Sequence, residues 1–377
     1  MQYRAFGKLD WQVSALGFGA MRLPVIDGDR TRIDEPLAQR MIRYAIDHGV
    51  NYLDTAYAYH GGGSESFVGR VLREGYRERV KLATKMPSWL IQKAEDFDRY
   101  LDEQLQRLQT GHLDFYLLHG LNRERWPLLR DLGVRQWAER AMADGRFHHL
   151  GFSFHDDFGV FKDILDAFEW TLCQIQYNFM DVDYQAGVRG LRYAAEKGLA
   201  VVVMEPIRGG RLSKKVPPMI QAIWESASQP RRLADWALQW VWNQPEVSVA
   251  LSGMSAMEHV VENVASAAQS GPGTLTENDL ALITRVRDAY WKLCPVPCTN
   301  CQYCLPCPSG VNIPRILELY NDAIMYGDDT RAPLAYSWLK EDERANLCVA
   351  CGDCLTRCPQ QIDIPNWLIQ AHELLCP

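Results

Sequence analysis

The chain has 377 residues, too long for one small domain, which predicts a large domain with an appendage. Its 47% hydrophobic content is that of a globular protein with a sizeable core. A net charge of −7 without a basic block excludes an electrostatic footprint for nucleic acid, and no apolar run reaches the ~18 residues of a membrane span, so neither partner is expected.

The opening residues, MQYRAFGKLDWQVSALGFG, lack a continuous apolar core and do not read as a signal peptide, so a cytoplasmic location is expected. Eleven cysteines in that reducing compartment read as free thiols or metal ligands, not disulfides.

Residues 2–14 read as a hairpin, Tyr3–Phe6 and Trp11–Ser14. Strands and helices then alternate. The strands are Ala15–Phe18, a short one ending at Asp54, Val80–Thr84, Leu113–Leu118, Phe147–Phe152, Cys173–Gln176, Leu199–Met204 and Val247–Leu251. Helical spacing between them predicts Leu37–Asp47, Ser64–Leu72, Glu95–Leu108, Leu128–Ala143, Asp157–Phe168, Tyr184–Lys197, Arg232–Asn243 and Glu258–Ser266. Leu199–Met204 is continuously apolar, as a strand buried on both faces would be. Eight such units in about 250 residues favour a (β/α)8 TIM barrel over an open sheet. No G-x-G-x-x-G opens a helix after the first strand, which argues against a Rossmann fold.

The chemistry gathers at strand ends. In NYLDTAYAY, Tyr52-Leu53 leads to Asp54, and Tyr59 follows five residues later. Lys85 ends the third strand and His119 the fourth. A free tyrosine, with pKa about 10, is a poor proton donor near neutrality. A lysine ammonium stabilises the phenolate and lowers that pKa, an aspartate holds the lysine charged, and a histidine can bond the substrate oxygen. Singly, each residue also fits a plainer role: a buried salt bridge, a core tyrosine, a structural histidine.

The set D-T-A-x-x-Y, T-K and Y-L-L-H resembles the aldo-keto reductases over roughly residues 1–290. The resemblance implies an NAD(P)H-dependent reductase of a small-molecule carbonyl substrate, with Asp54, Tyr59, Lys85 and His119 as its catalytic tetrad. It also implies cofactor contacts from Met21, Ser153, Gln176, Met204, Pro206, Gly210, Leu212, Ser252, Gly253, Met254, Ser255, Glu262 and Asn263. Two positions depart from the family pattern. Gly151-Phe152-Ser153-Phe154-His155 stands where the family often has G-x-S-N, so Ser153 matches but the asparagine that usually holds the nicotinamide does not, and Met204 replaces an aromatic that usually stacks on the nicotinamide. The usual basic residue for a 2′-phosphate is replaced by Ser255 and Glu258, leaving NADP and NAD both open.

Residues 274–293 read as one more helix, after which the composition changes. Cys298-x2-Cys301-x2-Cys304-x2-Cys307-Pro308 is followed by Cys348-x2-Cys351-x2-Cys354-x3-Cys358-Pro359, and the second run has the bacterial ferredoxin spacing. The runs belong to an internal duplication in which Val311-x-Ile313-Pro314 repeats as Ile362-x-Ile364-Pro365. Residues 291–377 therefore resemble a two-cluster 4Fe-4S ferredoxin-like domain. By that resemblance Cys298, Cys301, Cys304 and Cys358 hold one cluster, and Cys348, Cys351, Cys354 and Cys307 the other. Tetrahedral zinc is the alternative for C-x2-C pairs, and the shortened first run leaves one cluster possible.

Nicotinamide transfers two electrons as hydride whereas each cluster carries one, and no flavin motif is visible to mediate. The clusters are accordingly expected to be structural, to serve an external redox partner, or to drive a one-electron reduction. The competing reading is an electron-transfer or redox-sensing protein whose barrel binds nucleotide with little turnover.

Overall fold

The first elements of the chain close one end of a barrel. Tyr3–Phe6 (β1) and Leu9–Ser14 (β2) pair antiparallel about a turn in which Gly7 takes φ +57°. A Cβ on Gly7 would lie 2.6 Å from the Ala200 amide nitrogen, so a side chain there would force the turn away from the barrel. Phe6 is fully buried, its ring centroid 4.8 Å from that of Phe115 and 5.9 Å from that of Tyr52. With Val13, Leu172, Ala200, Val202 and Val249 it fills the interior where the barrel strands begin. The computed structural model from which these features are read describes every residue except Lys214, Lys215, Thr299, Cys301, Asp328, Asp329 and Pro377.

The barrel follows. Its first half runs β3 (Leu16–Gly19), α1 (Glu35–Asp47), β4 (Tyr52–Asp54), α2 (Gly63–Val71), β5 (Lys81–Met86), α3 (Glu95–Leu108) and β6 (Leu113–Leu121). Next come α4 (Arg125–Asp131), α5 (Val134–Ala143), β7 (Phe147–Phe154), α6 (Phe158–Asp166), β8 (Leu172–Gln176), α7 (Gly187–Glu196) and β9 (Ala200–Met204). After α8 (Pro218–Glu225), the barrel ends with α9 (Leu233–Trp242), β10 (Val247–Ser252) and α10 (Met257–Ala268). Strands β3 to β10 pair parallel in order, and β10 closes onto β3.

Every residue of β10 is buried, as are the first four of β9, which explains why these strands are apolar runs rather than alternating ones. The helices bury one stripe each. In α1 this is Met41, Ile42, Ala45 and Ile46, behind an Asp34 cap that accepts from the Leu37 amide. Trp242 of α9 ties helix to sheet by donating its indole N–H to the Ala15 carbonyl at 2.7 Å.

Three differences from the sequence expectation matter. The helix expected over Leu128–Ala143 is two, α4 and α5, because Gly133 takes the left-handed φ of +81° between them. Strand β6 runs past His119 to Leu121, and β7 runs through Ser153 to Phe154, because their ends pair with each other, Leu121 opposite Phe154. His119 and Ser153 are therefore held on strands rather than on loops. Helix α8 was not among the expected elements, although Ile220 and Trp224 stand at helical spacing and are buried.

Met1–Ser213 and Arg231–Leu280 form one compact unit; Lys214–Pro230 and Ala281–Pro377 form another. Helix α11 (Glu277–Lys292) spans the boundary. The second unit is built on α12 (Ile313–Tyr326), α13 (Arg331–Ser337), α14 (Asp353–Arg357) and α15 (Ile364–Leu375). The duplicated motif becomes two matching helix starts, with Pro314 and Pro365 in the first turns of α12 and α15, where a missing N–H costs nothing. Ile313, Ile316, Leu317 and Tyr320 share a core with Ile364, Leu368, Ala371 and Leu375. Among the described residues no helix is long and apolar enough to cross a membrane.

Because Phe6 plugs the barrel floor, Phe6→Ala should destabilise this unit by about 3–5 kcal/mol. Urea unfolding followed by tryptophan fluorescence would measure it; a loss under about 1 kcal/mol would show that the hairpin is not part of the barrel core.

Candidate functional site

At the C-terminal ends of β4 and β5 a charge pair is buried. Lys85 Nζ donates to Asp54 Oδ1 at 2.5 Å, to the Thr55 carbonyl at 2.8 Å and to the Tyr59 hydroxyl at 3.4 Å. Lys85 and Asp54 are only 1% and 2% exposed. Tyr59 meets His119 edge to face, with ring centroids 6.1 Å apart. The buried Nδ1 of His119 has no hydrogen-bond partner among the described residues. The structure thus brings the four expected tetrad residues together.

Two residues at the start of α2 lock the strand ends on which this depends. Ser64 Oγ lies 2.9 Å from Thr55 Oγ1, and Glu65 Oε1 accepts from Thr84 Oγ1 at 2.6 Å. Gln104 of α3 donates to the same Glu65 oxygen and to the Lys85 carbonyl, the latter at 3.0 Å, while Tyr116 donates to Gln104 Oε1 at 2.6 Å. Thr55 and Thr84 flank the two charged residues in sequence, so the network fixes the backbone on both sides of the pair.

The electrostatics follow from burial. Desolvation works against the Lys85 charge, yet Asp54 and Tyr59 lift its pKa above the ordinary lysine value, so it stays an ammonium. Burial raises the Asp54 carboxyl, opposed by Lys85 and by the nearby Gln174. Tyr59 departs from the simple expectation. Burial of its hydroxyl end raises the phenol above its usual value, and the opposing pull of Lys85 only partly offsets this. The resting tyrosine therefore keeps its proton. His119 is pushed well below its ordinary value, first by burial and then by Lys85, His155 and Arg125, which leaves a neutral imidazole.

The expected nucleotide contacts lie around the same strand ends. Ser153 Oγ accepts from the Gly120 amide at 2.7 Å, and Gln176 Nε2 donates to Asp181 Oδ2 at 2.8 Å. Met204 is half-buried at the end of β9, Pro206 and Leu212 are buried, and Gly210 takes φ +93° with open space where a Cβ would be. Asn263 Nδ2 donates to Ser252 Oγ at 3.0 Å, and Met254 is buried. Glu262 is drawn toward Arg232, while Ser255 and Met21 are exposed. A Cβ on Gly253 would lie 3.0 Å from the Arg22 side chain, so this loop passes Arg22 closely. The arrangement fits a nucleotide: glycine backbone beside a guanidinium and hydroxyls already oriented by amides.

Several residues here were not foreseen from sequence. Arg22 pairs with Glu205 at 3.0 Å, linking the segments after β3 and β9. Gln174 shares a strand face with Gln176, a period-of-two signal that could have flagged it. Asn178 donates to Asp181 at 2.8 Å and to the Glu205 carbonyl at 3.1 Å, bracing the segment after β9. Arg22 and Glu205 carried no local signal, because each pairs with the other far along the chain, and Asn178 joins the nearby Asp181 to the distant Glu205 carbonyl.

In the second unit the cysteines line two cavities. Cys304, Cys307, Cys348, Cys351 and Cys354 line one, with Ile313, Pro365 and Leu368. Cys298, Cys304 and Cys358 line the other, with Pro314, Leu317, Ile362 and Ile364. Cys301 lies outside the described residues. Each run bends at the same two places: Asn300 and Gln302 take φ +55° and +64°, and Ala350 and Gly352 take +52° and +83°. Left-handed residues of this kind build backbone concavities that suit an anionic guest such as a thiolate-held cluster. Sulfur donors from both runs around one cavity fit iron–sulfur chemistry.

Residues 15–287 match the Aldo/keto reductase family, and residues 297–362 match a 4Fe-4S dicluster domain. The chain is 26% identical over 330 residues to L-galactose dehydrogenase of Arabidopsis thaliana, covering 77% of this chain and 97% of that protein. It is 25% identical over 307 residues to the NADH-specific methylglyoxal reductase of Escherichia coli (strain K12), covering 69% and 91%. An aldo-keto reductase from Klebsiella pneumoniae solved in complex with NADPH shares the fold with a TM-score of 0.61 at 25% identity, over 76% of this chain and 96% of its own. A closed parallel barrel, a family match over most of its length and a second match over the cysteine runs lead to one conclusion: the chain belongs to the aldo/keto reductase family, as an oxidoreductase of that type carrying a 4Fe-4S dicluster domain.

Proposed function

We propose that the barrel reduces a small carbonyl compound to the alcohol, with NADPH or NADH as hydride donor and Tyr59 as proton donor. One observation carries this reading: a buried ammonium, Lys85, reaches both a carboxylate and the Tyr59 hydroxyl, beside a His119 nitrogen without a partner among the described residues. When bound, the nicotinamide supplies a hydride to the carbonyl carbon.

The chain's own residues handle the charge and the proton. Negative charge gathers on the carbonyl oxygen, and the neutral His119 bonds it there. Tyr59 gives its proton to that oxygen and becomes a phenolate, whose charge the Lys85 ammonium meets. Lys85 therefore acts on the ionised form that exists only as the reaction proceeds, which is where stabilisation accelerates the step. Asp54 keeps Lys85 protonated and aimed. Solvent returns one proton to Tyr59, so each turnover consumes one carbonyl, one reduced nicotinamide and one proton.

Ser153, Gln176, Met204, the segment from Pro206 through Gly210 to Leu212, and Ser252, Gly253 and Asn263 are the proposed cofactor contacts. One similar protein is named for NADH and another was solved with NADPH. Ser255 and Glu258 are both exposed where a 2′-phosphate would want a cation, which supports use of either nucleotide. In the second unit we read Cys298, Cys301, Cys304 and Cys358 as ligands of one cluster, and Cys348, Cys351, Cys354 and Cys307 as ligands of the other. The shared lining of the first cavity by Cys307 and the later run supports this exchange. When bound, the clusters would supply one-electron carriers, outside the hydride step.

Tyr59→Phe should lower kcat for aldehyde reduction about 10²–10⁴-fold, the usual worth of a positioned general acid. Fluorescence titration should meanwhile show nucleotide binding close to wild type. Turnover retained in that variant would remove Tyr59 from the mechanism.

The pH profile follows from the two shifts. His119 is depressed below its ordinary value and Tyr59 is raised above 10. Neither changes charge near neutrality, so kcat/KM for reduction should show no limb between about pH 6.5 and 9 and should fall only as Tyr59 ionises in alkali. A limb near pH 6.5 that His119→Gln abolishes would overturn the neutral-imidazole assignment.

Anaerobically purified protein should contain about eight irons and give an EPR signal after dithionite reduction. Cys307→Ala should cut the iron to about half, through a ligand contributed across the duplication. Zinc in place of iron would refute the cluster assignment.

A further inference from the structure

The residues after β6 hold a cation that the mechanism leaves unused. Arg125, the first residue of α4, is half-buried and donates Nη1–H to the Gly120 carbonyl at 2.8 Å. Its guanidinium lies 5.8 Å from the centroid of the Trp89 ring, and Trp89 meets His119 edge to face at 5.1 Å. Gly120, directly after His119, takes φ +63°, and a Cβ there would come within 2.9 Å of Arg125 Nη1. The glycine therefore gives the guanidinium its seat beside the pocket.

Arg125 has no carboxylate partner among the described residues. Its neighbours differ sharply: Arg123 is held by Asp156 and Asp157, and Arg130 by Asp131. A guanidinium has five N–H donors in a fork that matches an anion, and one side-chain bond leaves most of them unused. The charged neighbours that act on His119 are Lys85, His155 and Arg125, all basic, so the histidine side of the site is the electropositive one, while Asp54 and Glu205 act on Tyr59. Trp89 is 41% exposed and presents a flat apolar surface between the histidine and the guanidinium.

We propose that Arg125 anchors an anionic substrate, so that the carbonyl compound this site prefers carries a carboxylate or a phosphate. The anion pairs with the free edge of the Arg125 fork, the carbon skeleton lies along Trp89, and the carbonyl reaches Tyr59 and His119. This inference rests on the carbonyl-reductase reading and names the substrate class for the same site. The reaction gains no new reactant, because the anion is bound and unchanged.

Steady-state kcat/KM would be measured for matched pairs: 4-carboxybenzaldehyde against 4-methylbenzaldehyde, and glyceraldehyde 3-phosphate against glyceraldehyde. The wild type should favour a charged member, and the pair showing the larger ratio tells carboxylate from phosphate. Arg125→Gln should reduce that ratio about tenfold or more, mainly through KM, the scale of losing charge-assisted hydrogen bonds. Arg125→Lys, which keeps the charge without the fork, should retain part of the preference and guards against a folding defect. Equal kcat/KM within each wild-type pair, or a ratio untouched by Arg125→Gln, would overturn the proposal.

A binding arm separates this inference from the reading beneath it. Benzoate and inorganic phosphate, titrated in the presence of NADP+ and followed by tryptophan quenching, report the anion site without turnover. Binding of either that weakens in Arg125→Gln supports the anchor even if no aldehyde is reduced, which would count against the reductase reading alone. Failure of both to bind the wild type counts against the anchor.

Discussion

A buried lysine next to a buried aspartate is costly unless each holds the other, and the barrel's active end is arranged around that requirement. Removing one partner of such a pair leaves an uncompensated charge, a cost of about 3–5 kcal/mol. Lys85 spreads its three donors over Asp54, the Thr55 carbonyl and Tyr59, so one ammonium ties the ends of two strands to the segment between β4 and α2. The Ser64–Thr55 and Glu65–Thr84 contacts then keep those strand ends from spreading. Stability and chemistry share a cause here: the bonds that keep a charge buried also fix where a phenolate would be met.

The same burial sets the protonation states. It raises Tyr59 and lowers His119, so both rest neutral while Lys85 and Asp54 provide the charge. A reaction that creates an oxyanion then meets a site whose charges are already in place, with little to reorganise. The hairpin β1–β2 closes the opposite end with aromatic packing rather than charge.

The second unit follows another logic. Its core is one helix pair, α12 and α15, with a modest set of buried side chains, and the cysteine runs that precede those helices curl by left-handed turns at matching positions. A small unit of this kind would gain much from metal ligation, because ligands drawn from both runs would close the loop between them. Duplication accounts for the symmetry: equivalent prolines start equivalent helices, and equivalent left-handed residues bend equivalent loops.

The alternation of strands and helices was legible because fully covered parallel strands must be apolar runs and their helices amphipathic. That Asp54, Tyr59, Lys85 and His119 would meet was legible because a barrel places strand ends in chain order. The ferredoxin-like tail was legible because thiolate spacing is local. The sequence alone therefore determined the barrel class, the residues with chemistry to offer and the duplicated cysteine runs. Tertiary structure decided the rest: Gly133 dividing a helix, β6 and β7 extending through His119 and Ser153, the Arg22–Glu205 bridge, and Arg125 seated over Gly120 against Trp89. Each depends on which distant groups meet, and on how far burial outweighs a neighbouring charge. For Tyr59 those two effects have opposite signs, and only the folded surroundings determine that burial prevails.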